Sequence, residues 1–183
     1  MKSRTLLVTS QLEVIIDRLC YQIIEEFDSA DELCLIGLQP RGVYLSNRLK
    51  DRLKELAPDE NYQFGALDIT FHRDDFRRRE TPLTPQSTEI PFDIENKTVI
   101  LVDDVLYTGR TIRAGMDALM NFGRPSRVQL LVLIDRRFKR QLPIEANYVG
   151  QRIDSIDAEK VKVEWKEQEG KDQIVLFNTE ENG

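Results

Sequence analysis

Two adjacent carboxylates, Asp103 and Asp104, close the apolar run Val99-Ile100-Leu101-Val102. Burying paired acids at the end of a strand is costly unless donors or cations meet them. After Val105-Leu106, the stretch Tyr107-Thr108-Gly109-Arg110-Thr111 forms a tight turn that opens directly into a helical pattern. The first N–H groups of a helix have no intrahelical partners and lie at the positive end of its dipole, so such a turn is an anion cradle. The hydroxyls of Thr108 and Thr111 add donors, and Gly109 lets backbone approach a phosphate closely. A ligand with vicinal hydroxyls beside a phosphate, such as a ribose 5-phosphate, satisfies both halves at once. An acidic magnesium pocket would account for the acids but leave the Thr-Gly-Arg-Thr turn unexplained. The chain also lacks G-x-x-x-x-G-K-[ST], so a P-loop nucleotidase is unsupported.

The surrounding patterns say what must position these groups. A capping box at Ser10-Gln11-Leu12-Glu13 precedes Leu12, Ile15/Ile16, Leu19, Ile23 and Phe27 at helical spacing. Leu33 to Gly37 is a short continuous apolar run, expected of a strand buried on both faces. Past Gln39-Pro40-Arg41-Gly42, Leu45, Leu49, Leu53 and Leu56 restore the helical period, and Pro58 closes it. Phe64 to Phe71 alternates as a strand. Val99 to Val102 and Val128 to Ile134 are further buried strands, separated by a helix from Thr111 to Phe122 with Gly123 as its left-handed cap. Tyr148-Val149, Val161-Val163-Trp165 and Ile174 to Phe177 read as a small antiparallel addition. Alternating strands and helices specify an α/β fold with a mainly parallel sheet, whose ligands sit beyond the carboxyl ends of the strands. The residues just after Gly37, Ile69, Val102 and Ile134 are therefore the ones to interrogate.

Composition narrows the class. Of the 183 residues, 26 are basic and 32 acidic, a formal net charge of −6 that argues against wholesale coating of nucleic acid. The length fits one domain, 1–183, able to bury a core without metals or disulfides. No apolar stretch approaches the ~18–20 residues of a bilayer span, and Leu6-Leu7-Val8 is too short for a signal-peptide core. Cys20 and Cys34 lie in apolar runs and read as reduced core residues of a cytoplasmic protein.

The motif VILVDDVLYTGRT, Val99 to Thr111, resembles the phosphoribosyl-pyrophosphate (PRPP) motif of type I phosphoribosyltransferases. With DITFHRDDF before it, and GMDALMNFGRPS, LVLIDRR and LPIEANYVG after it, the chain from about residue 5 to about 177 resembles the PyrR family of pyrimidine-operon regulators and uracil phosphoribosyltransferases. The resemblance implies the type I fold: a mainly parallel twisted sheet flanked by helices, a small C-terminal antiparallel hood and a flexible loop at about 72–91. It implies conversion of PRPP and uracil to UMP and pyrophosphate, with Mg²⁺ held mainly by the substrate and no protein residue assigned to it. It also implies a homo-oligomer, a dimer or a dimer of dimers.

Residue by residue, the resemblance makes Gln39-Pro40-Arg41-Gly42 the pyrophosphate loop, with Arg41 and Gly42 matching the usual Lys-Thr-Arg-Gly and Gln39 and Pro40 departing from it. It leaves the isomer of the Gln39–Pro40 bond open, proline being the residue that tolerates cis. Arg73 and Arg77 would reach diphosphate oxygens from the flexible loop, while His72, the only histidine, reads as an exposed loop residue. Asp135 and Arg136 would lie near the base and the diphosphate, with Tyr148, Val149 and Val161 building the hood over the base. Asp103, Asp104 and Arg41 would carry the catalysis. Tyr107 stands where purine enzymes usually have aspartate, which favours uracil over hypoxanthine or another base.

A second reading is an RNA-binding attenuator that senses UMP. Glu145 and Gln151 stand where attenuating members carry basic residues, Asp154-Ser155 replaces a Pro-Thr-Ser stretch, and Arg137-Phe138-Lys139-Arg140-Gln141 resembles an insertion. These departures and the acidic balance weigh against that reading.

Overall fold

The computed structural model describes residues 3–74, 84–154 and 159–178. The strands are β1 (Ser3–Val8), β2 (Leu33–Leu38), β3 (Gln63–Leu67), β4 (Thr98–Leu106), β5 (Arg127–Arg136), β6 (Tyr148–Ile153), β7 (Glu159–Glu164) and β8 (Gln173–Asn178). The helices are α1 (Thr9–Glu26), α2 (Gly42–Leu56), α3 (Arg110–Leu119) and the single turn α4 (Lys166–Glu169). Five strands pair in parallel in the order β3-β2-β4-β5-β6, and β1-β8-β7 form a separate antiparallel sheet.

The period-2 alternation of the buried strands divides the core. Leu33 and Leu35 of β2, Ile100 and Val102 of β4, and Leu131 and Leu133 of β5 pack against Leu12, Ile16, Leu19 and Ile23 of α1 and Leu45, Leu49 and Leu53 of α2. Cys34, Ile36 and Leu38, Val99 and Leu101, and Leu130 and Val132 face the other way, against Ile112, Ala114, Ala118 and Leu119 of α3. Both cysteines are buried and free, as expected of core residues; burial pushes the Cys20 thiol up to about 12. Among the described residues, no helix is long and apolar enough to cross a membrane.

Several boundaries differ from the sequence expectation. The carboxamide Oε1 of Gln11 accepts the backbone N–H of Val8 at 3.0 Å, so the N-cap of α1 is Val8, two residues ahead of the Ser10 expected from the Ser10–Glu13 box. The third strand stops at Leu67 because Asp68 accepts both the N–H and the hydroxyl of Thr70, at 3.1 and 2.6 Å, and turns the chain into a 3₁₀ turn at Thr70–His72. Helix α3 ends at Leu119 rather than Phe122; Gly123 has positive φ (143°) but sits beyond the helix cap. Tyr148-Val149 belongs to β6, a parallel edge strand of the main sheet, not to the antiparallel addition. The antiparallel sheet recruits β1 as its third strand, Ser3 opposite Phe177 and Val8 opposite Gln173.

This small sheet is bolted onto α2. Trp165, between β7 and α4, is fully buried, with Tyr44 at a ring-centroid distance of 6.3 Å. Arg48 of α2 stacks 4.5 Å from the Trp165 ring and donates to Glu167 (2.8 Å) and Asp172 (2.7 Å).

Candidate active site

The parallel sheet brings the ends of β2, β4 and β5 to one edge. Adjacent strand residues point to opposite faces, so Asp103 and Asp104 diverge. The Asp104 carboxylate receives Arg41 Nε at 2.7 Å from the start of α2, whereas Asp103 Oδ1 accepts the backbone N–H of Asp104 at 2.9 Å. Both acids are about 6% exposed. Burial drives the Asp103 carboxyl well above the ordinary carboxylate value, and the neighbouring Asp104 charge adds to it, with Arg41 and Arg73 pulling the other way. Burial also raises Asp104, against the pull of Arg41. A desolvated acidic pair of this kind is suited to hydroxyl donors or a cation.

Arg41 reaches this position because Gly42 has no side chain. A Cβ at Gly42 would lie 2.2 Å from the Val102 carbonyl oxygen and 3.1 Å from Asp103 Cα, so α2 starts in contact with the strand that carries the acids. The Gln39–Pro40 peptide immediately before it is cis. Arg41 also donates to the Val163 carbonyl of β7 and, at 3.5 Å, to Gln168 Oε1 of α4.

Beyond β4 the chain makes the expected turn. Gly109 has φ +91°, and α3 starts at Arg110. Residues 105–112, together with Arg73 and Asp74, line a cavity of about 260 Å³. Arg110 pairs with Asp74, and Arg113 donates to the His72 carbonyl at 3.0 Å, so the start of the 72–91 segment is tied to the first turn of α3. Arg77 lies outside the described residues.

At the end of β5, Arg136 is buried and stacks 3.9 Å from the Tyr107 ring while donating to the Glu159 carbonyl of β7 at 2.8 Å. Strand β7 therefore holds both arginines, Arg41 through the Val163 carbonyl and Arg136 through the Glu159 carbonyl, with Val161 between those two residues in the strand. Asp135 is also buried and receives Arg140 at 2.5 Å.

The structure brings Asp103, Asp104, Arg41, Arg73, Tyr107 to Thr111, Asp135, Arg136 and Val161 together at this edge. It does not bring Tyr148 and Val149 there. The Tyr148 hydroxyl donates to Glu26 at the far end of α1, and the Val149 carbonyl accepts Arg18 of α1 at 3.3 Å. Both stand at the amino end of β6; its carboxyl end, Arg152-Ile153, is the part in register with Asp135-Arg136. Sequence reasoning missed Asp74 and Arg140, each a charged partner whose role depends on long-range packing. A larger cavity of about 340 Å³ lies between α1, α2 and Trp165, and the arginines lining it, Arg48 and Arg52, are already paired with carboxylates.

A buried acid pair followed by a glycine turn into a helix, at the carboxyl edge of a five-stranded parallel sheet, defines the phosphoribosyltransferase class. The sequence profile of the phosphoribosyl transferase domain matches residues 4–168. The chain is 48% identical over 178 residues to the bifunctional protein PyrR of Streptococcus uberis, covering 97% of this chain and 99% of that protein. It is 43% identical over 177 residues to the bifunctional protein PyrR of Deinococcus radiodurans, covering 97% and 96%. The chain belongs to the PyrR family of phosphoribosyltransferases. Solved structures of the same fold include a hypoxanthine phosphoribosyltransferase of Trypanosoma cruzi, with TM-score 0.71, 17% identity and coverage of 96% of each chain. Another, from Staphylococcus aureus, has TM-score 0.70 and 20% identity, covering 97% of this chain and 93% of that one.

Proposed function

We propose that this phosphoribosyltransferase joins uracil to PRPP, releasing pyrophosphate and forming UMP. The observation that carries the reading is the juxtaposition of the buried Asp103–Asp104 pair with the 105–112 cavity, which matches ribose hydroxyls beside a 5-phosphate. In the reaction the bond from C1 of the ribose to the diphosphate oxygen breaks and a bond from uracil N1 to C1 forms. The uracil N1 proton passes to solvent, and the diphosphate takes the bonding electrons. Positive charge builds on the ribose ring as the leaving group departs. Asp103 and Asp104 bind the 2- and 3-hydroxyls and favour that charge. The N–H groups of the 107–111 turn hold the 5-phosphate. Arg41, with Arg73 and Arg77 from the loop, stabilises the departing diphosphate.

The oxygen donors of Asp103 and Asp104 fit a hard divalent cation, and their raised affinity for protons marks the same demand for a positive neighbour. Mg²⁺ bound with PRPP would neutralise diphosphate charge. The base would lie by the Tyr107–Arg136 stack, under β7 at Val161. Arg136 is fixed there by its stack on Tyr107 and its bond to a backbone carbonyl, which would set a rigid cation beside the base. Tyr107 has no carboxylate to accept a purine ring N–H. We place the enzyme in the cytoplasm, acting as a homo-oligomer.

A parallel assay with uracil, guanine and hypoxanthine tests base choice. Uracil should react with PRPP at least tenfold faster in kcat/KM, the discrimination expected when a polar site leaves the wrong base unpaired. A purine as the better substrate contradicts the reading.

The relatives named bifunctional PyrR support a second activity, UMP-sensitive binding of operon leader RNA. Here Arg137 is paired with Asp154 at 2.6 Å and Arg140 with Asp135, so two of the basic residues near the LPI segment spend their charge internally. RNA affinity that rises with UMP and falls steeply with salt supports this activity; no binding at low salt removes it.

A further inference from the structure

We propose that Arg140 is a positioning residue for the 5-phosphate cradle, the centre of a brace formed by residues 138–144. The inference rests on the assignment of the 107–111 turn to PRPP. A turn that presents its N–H groups to an anion must turn its carbonyl oxygens away, and those carbonyls then need donors of their own. The brace supplies them. The Arg140 guanidinium donates to the Tyr107 carbonyl. The backbone N–H groups of Gln141 and Leu142 both donate to the Thr108 carbonyl, at 3.0 and 3.2 Å. Gln141 Oε1 accepts Arg110 Nε at 2.7 Å. The side chains of Ile144 and Leu142 lie under Gly109, where a Cβ would meet them at 3.3–3.5 Å.

The same guanidinium links the cradle to the base region. One Nη of Arg140 holds the Tyr107 carbonyl while the other holds Asp135 Oδ1 at 2.5 Å. The Asp135 side chain is 8% exposed and that of Arg140 25%, so the bridge is shielded from water on the strand side. Chain direction is set by Phe138, whose φ of +74° is a left-handed conformation that bulky residues rarely adopt. That turn folds the segment after β5 back across the cradle. A segment that reads as a surface insertion thus fixes which way the phosphate loop faces. A planar fork serves two acceptors in fixed directions, which a lysine cannot reproduce.

Initial-rate kinetics on Arg140→Ala, Arg140→Lys and, as the control, Arg137→Ala test the assignment. Arg137 belongs to the neighbouring exposed pair with Asp154 and should leave both substrates' constants unchanged. Arg140→Ala should raise KM for PRPP about tenfold or more, with kcat changed less than about threefold, the pattern of lost ground-state binding. Arg140→Lys should restore part of that loss. Titration with inorganic phosphate, followed by calorimetry, should show the same weakening without turnover. A lower kcat at unchanged KM for PRPP, or equal phosphate affinity in wild type and Arg140→Lys, overturns the positioning role. Should Arg140→Ala fail to fold, the Arg140→Lys phosphate titration decides alone. A wild-type protein that binds no PRPP defeats the underlying assignment instead, so the two failures are distinguishable.

Discussion

Replacing both acids, Asp103→Asn with Asp104→Asn, should lower kcat/KM for PRPP by at least about 10³-fold while leaving the fold intact. Each asparagine keeps the size of the acid it replaces and still offers an oxygen, but it removes the negative charge that meets the ribose as diphosphate leaves. The same substitutions should alter stability in a defined direction. Both carboxyls are raised above their ordinary value, first by burial. Between the unfolded and folded values the native state therefore holds more protons than the unfolded chain. Stability then falls as pH rises through that window, and the charged pair is a net cost above it. The double variant lacks this slope. Thermal unfolding from pH 4 to pH 8 should show the wild type losing stability relative to the variant as pH rises. Near-normal turnover in the variant would defeat the assignment of the acids; a pH-independent stability difference would defeat the account of their burial.

The second large effect is expected at Gly42. An alanine there drives its Cβ into the Val102 carbonyl, 2.2 Å away, and backbone cannot rotate out of the contact as a flexible side chain would. The start of α2 must shift away from β4, carrying Arg41 off Asp104. Urea unfolding should show a loss of about 1–3 kcal/mol, typical of overpacking. Turnover of PRPP should fall on the order of a hundredfold, since small misplacements of a charged group near the reacting bond are costly. Gly170→Ala is the matched control: its φ is +78°, but among the described residues nothing lies within 4 Å of the added carbon, so it should strain the backbone without altering turnover. Equal kinetics for Gly42→Ala and wild type would separate Arg41 from the chemistry.

What the sequence shows of this molecule follows from how local each cause is. The buried strands β2, β4 and β5 are legible because continuous apolar runs have few other uses, and the acids and the glycine turn stand directly after one of them. Their partnership with Arg41 is half legible: the residue types are visible, whereas the 2.7 Å ion pair depends on Gly42 packing against Val102. Strand β1 is illegible because only Leu6-Leu7-Val8 marks it, and it is stabilised by pairing with β8, some 170 residues along. Tyr148 misleads for a related reason. An aromatic-β-branched pair signals a strand without saying which sheet it joins or which end faces the ligand, and here its hydroxyl is committed to Glu26. Arg140 is hidden in a basic run, where nothing local separates an inward brace from a solvated charge.

A crystal structure with PRPP and Mg²⁺ bound tests most directly whether Asp103, Asp104 and the 107–111 turn together hold PRPP. The ribose 2- and 3-hydroxyls should lie within hydrogen-bond distance of the two carboxylates, the 5-phosphate should rest on the backbone N–H groups of the turn, and Arg41 should face the diphosphate. PRPP bound at another edge of the sheet, or bound here with both carboxylates still committed only to Arg41 and to backbone N–H groups, would contradict the claim.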